Sequence, residues 1–340
     1  MNFVPPRLAE HGLGQPGMTR PISPIRLNQF EAMHPEPNQG SALDGIRALP
    51  AAVKGVVLSV AMFLLLSVDF AAFRWSATTW EATFTRVASA IISTGVAALV
   101  LSRTETTFLR LAAALFAISY GTMYLLPASE TFYLGSTLPY SQAIGMATWG
   151  ALITGAFSLT AAALYGSAPN HVNRAAPSRF VMPLREWTWK FLALAAFWTL
   201  LFILFGFAVY TPIAKTFDPA GYAAESSAVT HAGIALMSQP LWAIAWVAMA
   251  LPILRYLRTG PSVTAVALAA LLGGFMGVDM LLATHMSFWL QLGHFAESVG
   301  ESAVFGLAVV WVLQRGGRLE VAEIKRVPKA LSARPGTASP

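Results

Sequence analysis

Eight stretches of this sequence run for about twenty residues with almost no charge, which is the length an α-helix needs to cross a bilayer. They are 51–73, 86–102, 107–126, 141–165, 187–211, 236–257, 262–284 and 293–314. Each is too long and too evenly apolar for the alternating ten-residue strands of a membrane β-barrel. The fold expected is therefore all-α: a polytopic transmembrane bundle of about eight spans. Composition agrees, with 56% hydrophobic residues, 11% charged and a mean hydropathy of +0.58. The sixth block holds two prolines. Pro240 is expected as the first residue of that helix, where a missing N–H costs nothing, and Pro252 as a kink.

Charge orients the spans. Of 22 Lys and Arg, only Arg74, Arg86 and Lys215 fall in segments assigned to the outer side when both termini are placed inside. That asymmetry follows the positive-inside rule and makes both termini cytoplasmic. A seven-span reading would break the alternation. The same distribution argues against nucleic acid as a partner, since the net charge of +6 is shared among loops rather than gathered in one patch. The expected partner is the lipid bilayer, and the expected location is a bacterial cytoplasmic membrane.

Residues 1–49 carry seven prolines and no long apolar run, so they are expected as a disordered cytoplasmic tail rather than a secretion signal. Translation starting at Met1, Met18 or Met33 is equally compatible with this composition. Residues 50–314 form the expected membrane domain, and 315–340 a basic cytoplasmic tail.

Charged groups within spans are costly and therefore informative. One segment stands out: Gly293-His294-Phe295-Ala296-Glu297-Ser298-Val299-Gly300-Glu301. At about 100° per residue, His294, Glu297, Ser298 and Glu301 fall within one stripe about 100° wide, while Phe295 and Val299 face away. The topology puts this stripe at the outer end of the eighth span, with Glu301 about 12 Å down it. Asp69, Arg74, Arg86, Glu130, Asp279 and His285 are expected on the same side as partners. Three readings stay open. The carboxylates pair structurally with Arg74 or Arg86; they form a proton or cation path; or His294, Glu297 and Glu130 help to hold a metal ion.

Other features read as packing. Gly145, Gly150 and Gly155 punctuate the fourth block, and Gly273 and Gly277 form a small-xxx-small pair on the seventh. Met276, Met280 and Met286 beside His285 read as apolar filling, not copper ligands. Trp75, Trp80, Trp187, Trp189 and Trp289 sit at block ends, as interfacial belts do. No internal repeat stands out.

The absence of cysteine excludes disulfides, thiolate chemistry and iron–sulfur clusters. There is no phosphate-binding G-x-x-x-x-G-K-[ST], no dinucleotide G-x-G-x-x-G and no H-E-x-x-H, so no nucleotide cofactor is indicated. The last block has no lysine to carry retinal.

Three places resemble a group of uncharacterised bacterial multi-spanning membrane proteins. Met182-Pro183-Leu184-Arg185-Glu186-Trp187 leads into a helix ending at Phe205-Gly206-Phe207. A proline-containing helix runs from Gln239-Pro240 to Leu254-Arg255. His294-Phe295-Ala296-Glu297 precedes Phe305-Gly306. Glu130-Thr131-Phe132-Tyr133 is similar to an acidic–aromatic element of that group. The resemblance covers about half the chain and implies no activity; it implies that Glu130, His294 and Glu297 belong together.

Three functions of different class fit. One is a transporter moving a proton, cation or small solute through an outward-facing polar cavity. The second is a membrane-embedded metal or acid–base enzyme, although no recognised catalytic spacing appears. The third is a structural subunit of an envelope complex.

Overall fold

The computed structural model describes residues 45–46, 48–69, 80–104, 106–129, 140–166, 182–228, 232–257, 259–282 and 286–314. Both tails lie almost wholly outside them. Among the described residues the membrane domain contains ten α-helices and two π-helical turns with these bounds: α1 (Ala51–Asp69), α2 (Trp80–Leu101), α3 (Phe108–Tyr120), α4 (Tyr140–Tyr165), α5 (Leu184–Phe205), α6 (Thr211–Phe217), α7 (Pro219–Ala228), α8 (Ala232–Tyr256), α9 (Pro261–Leu282) and α10 (Phe288–Gln314). The π-turns are Gly121–Leu125, which continues α3, and Gly206–Tyr210, which joins α5 to α6. Eight of these helical stretches are long and apolar enough to cross a membrane. The protein is an all-α, multi-pass membrane protein.

Backbone hydrogen bonding within each helix is what allows these segments to sit in lipid. Their outward faces are aliphatic: Val56 and Leu64 on α1, Leu152 on α4, and Leu192 and Leu200 on α5 are all exposed. The inward faces build a core around Trp198, Trp246, Phe275 and Phe305. Contacts run round a closed circuit, α1–α2–α9–α10–α5–α8–α3–α4 and back to α1, while α9 also touches the Gly121–Leu125 turn. An isolated antiparallel bridge between Thr104 and Leu257 ties the end of α2 to the end of α8.

Three expectations need correction. Pro240 does not start the sixth span. That helix begins at Ala232 and carries both Pro240 and Pro252 inside it, each removing one i→i−4 bond. The second span begins at Trp80, six residues earlier than its hydropathy suggested. The eighth begins at Phe288, not Gly293. His294 is thus nearly two turns inside the helix rather than at its mouth, and Glu301 lies about 20 Å along it at the usual 1.5 Å rise.

One lysine placed by sequence on the cytoplasmic side is fully buried. Lys190 on α5 bonds Glu186 Oε1 at 2.6 Å, the carbonyl of Leu313 at 3.2 Å and Met182 Sδ at 3.0 Å. Leu313 is in the last turn of α10, where carbonyls lack helical partners and a cation complements the helix dipole. Lys190 therefore fastens the end of α10 to the start of α5.

Candidate functional site

The site is built where α10 starts. Ser287 caps it: its hydroxyl receives the Leu290 N–H at 3.4 Å and its carbonyl the Gln291 N–H at 2.9 Å. Asp218 caps α7 in the same way, taking the Gly221 N–H on Oδ1 and the Tyr222 N–H on its carbonyl, both at 2.9 Å, with Pro219 following as the first helical residue. The Ser287 hydroxyl also donates to the other oxygen of Asp218. Together these bonds hold the Asp218 carboxyl below its ordinary range, the Ser287 contact acting most strongly. Phe217 stacks on Trp289 beside them, with ring centroids 4.5 Å apart. Two helix starts are thereby joined, which sets the height of α10 against α6.

The next turns of α10 lie against the Gly206–Tyr210 π-turn. A π-turn carries one extra residue, and such turns gather at functional sites. The Gly206 carbonyl accepts the Thr211 N–H, and the Thr211 hydroxyl donates to the same carbonyl at 2.8 Å. Gly206 lies close to the pair: a Cβ there would be 3.2 Å from Glu297 Oε1, near enough that the carboxylate would have to shift. One turn further on, the Tyr210 ring stacks on the His294 imidazole at 4.0 Å between centroids and 17° from parallel. His294 Nδ1 and Glu297 Oε2 are 3.0 Å apart. A proton on Nδ1 makes this bond in either the neutral or the charged imidazole.

Glycines on α10 allow the approach. A Cβ on Gly293 would come within 3.1 Å of the Tyr210 ring, and one on Gly300 within 2.4 Å of Phe205. The stripe then continues inward. Ser298, Glu301 and Ser302 are 6%, 4% and 0% exposed, against 20% for the His294 side chain. Beneath them, Phe305 meets Trp198 edge-on at 5.0 Å, Trp198 packs on Trp246 at 4.9 Å, and Trp198 Nε1 donates to Gln239 Oε1 at 2.8 Å. Exposure falls from His294 to Ser302, so the seam is most open near the start of α10 and closes on an aromatic block.

The remaining candidates divide. Asp279 is buried on α9. Arg86 donates to the Ala82 carbonyl at 3.0 Å and to Thr83 at 3.2 Å, and lies over the Phe63 ring. Asp69 closes α1, but its side chain, like Arg74, Glu130 and His285, falls outside the described residues. Among the described residues no three His, Asp or Glu side chains group to hold a metal ion. Sequence reasoning missed Gly206, Tyr210, Gln291 and Ser302. Gln291 and Ser302 lie on the same helical stripe and were within reach of it; nothing in the local sequence announces a π-turn.

No family model, curated protein or solved structure matches this chain.

Proposed function

We propose that this membrane protein passes a proton or small cation along the α10 seam, which opens on the extracytoplasmic side of a bacterial cytoplasmic membrane. The observation that carries the reading is the hydrogen-bonded His294–Glu297 pair in the outer half of α10, with Glu301 buried one turn beyond it. An imidazole titrates near neutral pH, and a carboxylate beside it can take up or release the same proton. A buried carboxyl deeper in the membrane is costly unless it is protonated, paired or hydrated, which is why such groups mark ion and proton routes. The glycine-lined π-turn on α5 supplies a place where the helix can change register. Resemblance to the uncharacterised bacterial membrane proteins is part of the same proposal, since His294 and Glu297 of its motifs line the seam and Phe305 floors it.

The test is flux through purified protein in vesicles of phosphatidylethanolamine and phosphatidylglycerol loaded with a pH-sensitive dye. A pH step should relax faster than in protein-free vesicles, or a sodium or potassium step should move the interior pH. No response to any of the three gradients would reject the reading.

A further inference from the structure

We infer that the membrane domain is two copies of one four-helix repeat, 51–165 and 184–314, related by a two-fold axis along the bundle, and that Glu301 occupies a position which the other copy fills with isoleucine. The first part stands on geometry alone; the second rests on the seam reading above.

The contact circuit is the first support. In the first half α1 packs on α2 and α4, and α3 on α4. In the second half α5 packs on α8 and α10, and α9 on α10. The halves meet through α2 with α9 and through α3 with α8, which are the same pairing read from either side. Burial follows the same order. The third and seventh spans are the most enclosed, at 61% and 67%, and the first and fifth the least, at 17% and 22%.

Individual residues then coincide. Aligning α2–α3 with α8–α9 without a gap pairs Ala97 with Ala250, Leu101 with Leu254, Thr106 with Thr259, Leu115 with Leu268, Gly121 with Gly274, and Met123 with Met276. In this alignment Thr104 pairs with Leu257, the two residues of the antiparallel bridge. An antiparallel pair of equivalent residues sits on a local two-fold axis. The contacts on either side are reciprocal, as a two-fold interface demands. Gly121 accommodates Met249, and Gly274 accommodates Val96, the residue equivalent to Met249. At the same end of the bundle as that bridge, Lys54 lies over the Tyr165 ring as Lys190 reaches Leu313, and Tyr165 and Leu313 are equivalent last-turn residues of α4 and α10.

On α4 and α10 the buried positions coincide too. Phe157, Thr154, Gly150 and Ala143 are buried where Phe305, Ser302, Ser298 and Gln291 are. Ile153, 2% exposed, stands where Glu301 stands at 4%. Met146 and Trp149 take the places of His294 and Glu297. The same architecture is thus built once with apolar residues and once with an acid, a histidine and a second acid. Packing does not require the seam, so it is an addition to the second repeat. Parallel repeats about an axis along the membrane normal are a recurring architecture of transporters.

Replacement by the other repeat's residue is the test. Glu301→Ile in the full chain should accumulate in membranes and unfold, in detergent, at the wild-type temperature or above it. Unfolding at a lower temperature, or failure to accumulate, would overturn the assignment of Glu301 as dispensable for the fold. The repeat itself is tested by an experimental structure of the full chain. Superposing α2–α3 on α8–α9 should need a rotation close to a half turn about an axis passing between Thr104 and Leu257; any other rotation overturns it. Neither readout involves flux, so a protein that carries no ion would reject the proposed function and leave this inference standing.

Discussion

The imidazole of His294 lies flat on the ring of Tyr210, centroids 4.0 Å apart, while its Nδ1 faces Glu297 Oε2 at 3.0 Å. Tyr210 reaches that position because the π-turn inserts one residue between α5 and α6. The stack therefore ties the π-turn of the fifth span to the eighth span. A positively charged imidazole would gain further from the π face beneath it.

Tyr210→Ala and His294→Ala should be coupled. Ring pairs of this kind contribute about 0.5–1.5 kcal/mol beyond their buried area. A double-mutant cycle read by unfolding in detergent should return a coupling of that size. Strict additivity would show that the stack contributes nothing.

Thr211→Val removes the hydroxyl that gives the Gly206 carbonyl its second hydrogen bond while keeping the side-chain shape. The expected loss is about 1 kcal/mol, the usual net worth of such a bond. Hydrogen exchange should rise at the amides of 206–211 and leave those of α9 unchanged. Uniform change across both regions would count against a local role.

Lys190→Met should be more costly. It strands the Glu186 carboxylate and the Leu313 carbonyl at once, and hydrogen bonds to charged groups are worth about 1.5–3 kcal/mol each. The end of α10 should fray, raising exchange over its last turn. Unchanged stability would mean that water replaces the ammonium there.

Asp218 predicts an acid limb. Its carboxyl is held below its ordinary value of 3.8 by the Ser287 hydroxyl and the Gly221 amide. A depressed carboxyl pKa contributes stability that is complete above the unfolded value and is lost as pH falls through the folded one. Wild-type Tm should therefore fall below about pH 4 more steeply than that of Asp218→Asn. Parallel curves for the two proteins would remove Asp218 from the account.

The eight spans were legible because nothing else in a sequence looks like twenty apolar residues in a row. Their ends were less so. Gln291 diluted the hydropathy ahead of Gly293, so the helix start at Phe288 was hidden, although Ser287 is a recognisable cap. Pro240 was misplaced because a proline near the start of an apolar run reads as a first-turn residue, whereas packing against α5 holds the helix together around it. The stripe of His294, Glu297, Ser298 and Glu301 could be seen from spacing alone. The π-turn that gives it a partner could not, because its register depends on α10 pressing against Gly206. The duplication escaped notice because its shared residues are mostly alanine, leucine and glycine, which are common in any membrane helix; only burial and contacts single out the equivalent positions.

On the function proposed above, Glu301 serves transport and not folding. The most direct measurement compares wild type with Glu301→Gln in the dye-loaded vesicles, using protein of matched Tm and orientation. The amide keeps the volume and removes the titrating proton. Flux in the variant should fall to the level of protein-free vesicles while Tm is unchanged or higher. Flux equal to wild type, or a Tm loss that accounts for the missing activity, would contradict it.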